Sequence, residues 1–311
     1  MLKKMRSNFI FVKSRPLLLV CSLMVASSAF AASPTLDKIK SSGAITMGVR
    51  ESSIPMSYTI GDSRFDGYHV EICRMILGDI KDKLGLSTLR INYQPVTSQN
   101  RVPLVQNGTV DIECGTTTNN ANRAKDVGFA NTLYVEEVRI AVKANSGITS
   151  IAQLNGKKVA TTTGTTSVQL LRKNEKATGV NFDEVFGKDH ADSFLLLESG
   201  RADAFVMDGS ILAGNIANSK NPKDFKIVGE ILSTEPIAIM VRKDDPDFKA
   251  AVNAAIAKIV ANGKMPGLWN KWFLAPIPPK NIIVGLELSP ATKNAWANLN
   301  DKPAEDYQQK K

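Results

Sequence analysis

From Ala44 to Val49 the chain places Ile45, Met47 and Val49 on one side of an extended backbone, and this period of two predicts a strand. The period then changes. Between Gly67 and Leu84 the apolar residues Val70, Cys73, Ile76, Leu77, Ile80 and Leu84 recur at three- and four-residue spacing, which predicts a helix closed by Gly85. Leu89–Val96 predicts a second strand and Asn100–Gln106 a short helix. Asn107-Gly108 turns the chain into a third strand over Val110–Cys114. A β-branched run at Val138–Val142 and a loop at Lys143–Gly147 follow, and the series restarts. Strands are expected at Lys158–Thr161, Phe182–Phe186, Ala202–Met207 and Ile237–Val241, and helices at Thr165–Lys173, His190–Ser199 and Phe248–Ala261. Short strands alternating with helices predict an α/β protein whose mixed sheets carry helices on both faces, in two lobes with a cleft between them. Trp269, Trp272 and Phe273 have helix-packing spacing and are expected in the core. Pro276-Ile277-Pro278-Pro279 is expected to end the regular packing, with Asp301–Lys311 a disordered tail.

The N-terminus follows a different logic. Lys3, Lys4, Arg6, Lys13 and Arg15 precede the apolar run Pro16–Ala26, and Ala29-Phe30-Ala31 has the small-x-small pattern of a cleavage site. The apolar run is shorter than the roughly 20 residues that span a bilayer. Residues 1–31 are therefore expected to be a signal peptide cleaved after Ala31, leaving a soluble, periplasmic chain. Bulky Val20 before Cys21 argues against a lipoprotein site.

Removal of that segment changes the charge picture. The chain holds 39 basic and 30 acidic side chains, a net +9; residues 1–31 carry five of the basic ones and no acidic one, which leaves +4. No basic cluster is interleaved with aromatics, so no nucleic-acid partner is expected. Cys73 and Cys114 could form one disulfide or remain two buried thiols. With His69 and His190 the only histidines and no CxxC, no metal site is expected. No P-loop, GxSxG, HExxH or dinucleotide fingerprint is present, so no cofactor is expected either.

Candidate chemistry lies in four polar clusters, each where a strand ends: Val49–Pro55, Val96–Arg101, Cys114–Arg123 and Thr161–Ser167. Ligands of open α/β sheets bind beyond the carboxyl ends of strands. The third and fourth clusters are expected to open helices, whose unpaired N–H groups favour a carboxylate. Any one Thr or Ser there could be an ordinary cap. Three clusters carry an arginine, which capping does not explain. Asp208 could cap the helix after it, and His190 could owe its place to the neighbouring cap Asp189.

Several of these phrases resemble a known family. Arg-Glu-Ser-Ser-Ile-Pro (50–55), Thr-Ser-Gln-Asn-Arg (97–101), Gln-Asn-Gly-Thr-Val-Asp-Ile-Glu-Cys-Gly (106–115), Lys-Asp-His-Ala-Asp-Ser-Phe (188–194) and Pro-Ile-Pro-Pro-Lys-Asn (276–281) are similar to periplasmic glutamate/aspartate-binding proteins of ABC transporters. The resemblance runs from about residue 35 to about residue 300. It implies the two-lobed periplasmic-binding-protein fold (type II), with lobe 1 formed by 32–139 plus 235–311 and lobe 2 by 140–234. The crossings are expected near Val138–Lys143 and Thr234–Met240. It implies a monomer that passes L-glutamate or L-aspartate to a membrane permease. Arg123, Thr118 and Thr166 would hold the α-carboxylate, Asp208 and Thr116 the ammonium, and Arg50, Ser98, Arg101 and His190 the side-chain carboxylate.

Two departures stand out. Thr116 replaces a frequent Ser, and Ile239 stands where relatives have a cysteine that can pair with the Cys114 position. That disulfide is expected to be absent, which leaves the place of Cys73 open. Arg50, Arg101 and Arg123 against Asp208 make a net +2 site, more than a neutral amino acid needs. The competing reading is a periplasmic enzyme on the same fold, of the cyclohexadienyl or arogenate dehydratase kind, because a carboxyl acid–base pair needs no motif.

Overall fold

The computed structural model describes residues 33–307, so the expected signal peptide lies outside the described residues. The chain first forms α1 (Pro34–Ser42), β1 (Ala44–Val49), β2 (Ser52–Ser53), β3 (Ser57–Gly61), β4 (Arg64–Asp66), α2 (Tyr68–Lys83), β5 (Arg90–Pro95), α3 (Arg101–Gln106), β6 (Ile112–Glu113) and β7 (Val127–Phe129). A long strand, β8 (Tyr134–Lys143), leads to β9 (Lys158–Thr162), α4 (Thr166–Thr178), β10 (Asp183–Gly187), α5 (His190–Glu198), β11 (Ala204–Asp208) and α6 (Gly209–Asn218). A second long strand, β12 (Phe225–Ile237), returns to β13 (Met240–Arg242), α7 (Pro246–Ala261), α8 (Met265–Trp269) and α9 (Pro290–Ala297).

These strands build two five-stranded mixed sheets, ordered β5-β1-β6-β13-β7 and β10-β9-β11-β8-β12. β1 is parallel to β5 and β6, and β13 is antiparallel to β6 and β7. In the second sheet β9 is parallel to β10 and β11, while β8 is antiparallel to β11 and β12. β8 and β12 pair over Tyr134–Val138 with Ser233–Ile237, and again over Ile140–Lys143 with Phe225–Val228. Between these stretches β12 bulges past Arg139, whose Nη2 donates to Gly229 O at 2.9 Å. Gly229 has φ +78°, a conformation that a side chain disfavours.

Apolar side chains pack on both faces of each sheet. In the second sheet Val138, Ile140, Val142, Val159 and Val206 pack on one face, with Leu154 and Leu171. Ala141, Ala160, Phe205 and Met207 point the other way, under Phe194, Leu197, Ile211 and Leu212. In the first sheet Ile45, Met47 and Val49 meet the α2 stripe and Phe248, Val252 and Ile256 of α7. Trp269, Trp272 and Phe273 are core residues, and the Trp269 and Phe273 rings stack at 3.8 Å. No described helix is long and apolar enough to cross a membrane.

Five expectations need correction. The strand expected over Val110–Cys114 shrinks to Ile112–Glu113, because the Asp111 carboxylate takes the Thr46 N–H at 2.8 Å and ion-pairs with Lys38. The strand expected over Ile237–Val241 is split at Ala238–Ile239, where the chain leaves one sheet for the other. The α4 helix runs five residues past Lys173, to Thr178, and Gly179 with φ +74° closes it. Regular packing also continues beyond Pro279. Trp296 of α9 donates from Nε1 to Leu133 O at 2.7 Å, and Thr292 Oγ1 accepts from Val135 N at 3.1 Å. The described part of the expected disordered tail, 301–307, is fastened by Ala304 N to Asn119 O at 2.8 Å and by Asn119 Nδ2 to Asp301 O at 2.7 Å.

Candidate ligand-binding site

β1 ends at Val49, so Arg50 projects from the carboxyl end of a parallel strand. Its guanidinium is buried, donating from Nη2 to Ser98 Oγ at 3.0 Å and from Nη1 to Thr116 Oγ1 at 3.4 Å. Arg101 opens α3 and is only 2% exposed, yet its Nε and Nη1 have no partner among the described residues. Burial, with Arg101 beside it, draws Arg50 down to about 9, and burial lowers Arg101 as well. An arginine guanidinium keeps its proton in proteins, so both groups remain cations. Two buried cations, one of them with unmatched donors, call for an anion. His190 adds a neutral neighbour: burial, then Arg50 and Arg101, hold its pKa well below the usual histidine range. Its Nδ1 lies 3.0 Å from Thr162 Oγ1 and its Nε2 is unpartnered. Asp189 does cap α5, accepting from Ala191 N and Asp192 N, which leaves the His190 ring free for another role.

The other end is acidic. Asp208 ends β11 and precedes α6, but its side chain makes no capping bond; it is 2% exposed and Oδ1 has no partner. Burial, then Glu136 and Glu235, push its carboxyl well above the usual range. Glu136 accepts from Ser210 Oγ, from Glu137 N at 2.9 Å and from Tyr134 OH at 3.1 Å, and burial raises it too. Glu235 lies opposite Glu136 in the β8/β12 ladder and accepts Thr118 Oγ1 at 2.6 Å and Thr166 Oγ1 at 2.8 Å.

Side chains from the two sheets meet here. Arg123, pulled down to about 10 by burial and then Arg101, donates to Thr118 O at 3.0 Å and, across the cleft, to Gly164 O at 3.3 Å. Ala191 N reaches Ser52 Oγ at 3.3 Å. Gly164, with φ +82°, rests against the Ser98–Gln99 backbone, where a Cβ would stand 2.8 Å from Gln99 Cα. All nine residues expected from sequence therefore come together. Arg50, Ser98 and Thr116 are bonded directly; Thr118 and Thr166 meet at Glu235; Arg101 lies within electrostatic reach of Arg123, His190 and Asp208.

The pattern of the bacterial extracellular solute-binding proteins, family 3, matches residues 45–275. The chain belongs to that family. Among its relatives, the glutamate/aspartate import solute-binding protein of Escherichia coli K12 is 44% identical, with 88% of this chain and 91% of the relative covered. The L-glutamate/L-aspartate-binding protein of Pseudomonas aeruginosa is 43% identical, over 87% of this chain and 90% of that one. A solved structure of the solute receptor for L-cysteine of Neisseria gonorrhoeae superposes with a TM-score of 0.69 at 26% identity, covering 83% of this chain and 98% of that one.

Within this solute-binding protein the sequence reading needs two corrections. The Cys114–Arg123 cluster opens no α-helix, only a single 3-10 turn at Arg123–Lys125, because Thr118 is held by a β-bridge to Ile237. Of the two clusters expected to open helices, only Thr161–Ser167 leads into one, α4. The +2 charge count also omitted Glu113, Glu136 and Glu235, all buried. Glu113 ends β6, accepts from Thr117 Oγ1 at 2.9 Å, and is raised by burial against the pull of Arg101 and Arg50. What replaces the surplus is a mixed cluster, with Glu113 among the guanidiniums and Glu136 and Glu235 beside Asp208.

Sequence reasoning also missed the support behind the site loop. The structure joins Cys73 to Cys114, one of the two alternatives left open. One turn earlier on α2, His69 Nδ1 donates to Gly115 O at 2.6 Å; burial lowers its pKa to about 4, so the ring is neutral. The one signal available was that His69 and Cys73 share a helix face at i and i+4.

Proposed function

We propose that the chain is an exported, periplasmic solute-binding protein that captures L-glutamate or L-aspartate by cleft closure and delivers it to an ABC-transporter permease. One observation carries the ligand assignment. Arg101 keeps two unmatched buried donors and Asp208 an unmatched buried acceptor, within electrostatic reach of each other. An amino acid with an acidic side chain supplies both missing partners, a carboxylate and an ammonium. In this reading Arg50, Ser98, Arg101 and His190 hold the side-chain carboxylate. Arg123 and the Thr118 and Thr166 segments hold the α-carboxylate, and Asp208 with Thr116 holds the ammonium. The names of the Escherichia coli and Pseudomonas aeruginosa relatives point the same way.

The basic, apolar and small-residue order of residues 1–31 supports export with cleavage after Ala31. We take the lobes to be 32–139 plus 235–311 and 140–234; sheet membership supports this division except at 134–139 and 235–237, which belong to the strands of the second sheet. We take the mature chain to act as a monomer. The relatives carry binding and import names, which favours capture over the dehydratase reading. Equilibrium dialysis of the mature protein with radiolabelled L-glutamate and L-aspartate tests this. About one ligand per chain should be retained and recovered chemically unchanged; conversion to a new product would restore the enzyme reading.

A further inference from the structure

Each threonine hydroxyl has one proton to give, and Thr118 and Thr166 both give theirs to the same oxygen, Glu235 Oε2. Thr118 belongs to the loop after β6 in the first lobe, and Thr166 opens α4 in the second. Glu235 itself rides on β12, the strand that passes between the lobes, and is 4% exposed. We propose that Glu235 is a clasp: its carboxylate binds one hydroxyl from each lobe and thereby favours the closed cleft. This rests on the reading of the cleft as the glutamate or aspartate site.

Two features of the geometry support it. Hydroxyl-to-carboxylate bonds are short and strong, and one carboxylate oxygen has lone pairs for two of them. Parting the lobes moves Thr118 away from Thr166, so the oxygen must lose a partner while its charge stays beside Asp208 and Glu136. Closed and open states therefore differ in free energy at Glu235 itself, which is what a population shift requires.

The clasp also reassigns the threonines. With their protons committed to Glu235, the hydroxyls cannot donate to a ligand carboxylate. Main-chain N–H groups take that part. Thr166 is the first residue of α4, so its N–H has no acceptor within the helix. The Thr118 N–H has no partner among the described residues.

Stopped-flow dissociation of L-glutamate from Glu235→Leu, Glu235→Gln and Thr166→Val tests the clasp, alone and with Glu235→Leu combined with Thr166→Val. Leu removes the acceptor and should speed dissociation about tenfold or more, with association changed far less. Gln keeps an acceptor oxygen and should recover much of the loss. Thr166→Val should weaken binding in the wild-type background and have no further effect once Glu235 is Leu. A Thr166→Val loss that persists in the Glu235→Leu background would mean that the hydroxyl meets the ligand directly, and it would overturn the proposal. Unchanged dissociation in Glu235→Leu would do the same. If Glu235→Leu does not fold, the pair Thr118→Val and Thr166→Val decides. Acting through one oxygen, their combined loss should fall short of the product of the single losses, and independent losses would refute the clasp. If the wild-type protein retains neither acidic amino acid, the ligand reading alone fails. The same series is then run with whichever amino acid binds, since the clasp concerns closure and not the ligand's side chain.

Discussion

Arg101→Met should weaken L-glutamate and L-aspartate by about ten- to a hundredfold while leaving L-glutamine binding nearly untouched. Met keeps most of the apolar stem and removes the guanidinium whose Nε and Nη1 are buried without partners. Charge-assisted hydrogen bonds contribute about 1.5–3 kcal/mol, and each 1.4 kcal/mol is tenfold in affinity. The ligand-free protein should change little in stability, because Arg101 Nε and Nη1 make no hydrogen bond that Met would lose. Calorimetry on the variant, with thermal unfolding beside it, checks both statements. A lower ligand-free melting temperature with unchanged selectivity would mark Arg101 as a structural residue.

Asp208→Asn should weaken every amino acid that binds, since all share the ammonium, and by a similar tenfold or more. It should also diminish a proton signal. Burial, Glu136 and Glu235 hold Asp208 protonated well above the usual carboxylate range, against the pull of Arg101 and Arg123. An ammonium favours the ionised form and lowers that pKa. Binding between the ligand-bound and the ligand-free values therefore releases a proton. Affinity should rise with pH across that window and level off above the ligand-free value. In calorimetry with buffers of different ionisation enthalpy, the wild-type protein should release protons and Asp208→Asn should release fewer. Glu136, raised by burial on the adjoining strand, supplies the remainder. Identical proton release in both proteins would remove Asp208 from the ammonium subsite.

Local signals explain which parts of this architecture were legible beforehand. The alternation of Ile45, Met47 and Val49 and the stripe from Val70 to Ile80 depend on neighbours within a turn or two, and both elements formed where expected. Asp189, a cap whose N–H donors lie two and three residues on, is equally local. Sequence periodicity cannot carry the contacts that complete the site. Glu235 meets Thr118 and Thr166 across 117 and 69 residues. Cys73 meets Cys114 across 41, and nothing near either cysteine distinguished a disulfide from two thiols. The segment 301–307 misled through its charged composition. Its order comes from Asn119 main-chain and amide bonds that no composition encodes. The arginines were found because their type is costly to bury, whereas Glu113 and Glu235 lie in strand sequences where a glutamate passes for a solvated residue.

The central claim is that the cleft is built for an acidic side chain, and calorimetry of the mature protein with L-glutamate, L-aspartate and L-glutamine tests it most directly. Glutamine matches glutamate in length but cannot neutralise the Arg50 and Arg101 pair, and an unpaired buried charge costs on the order of 3–5 kcal/mol. Glutamate or aspartate should bind at least about a hundredfold tighter than glutamine. Equal affinity for glutamate and glutamine would contradict the account.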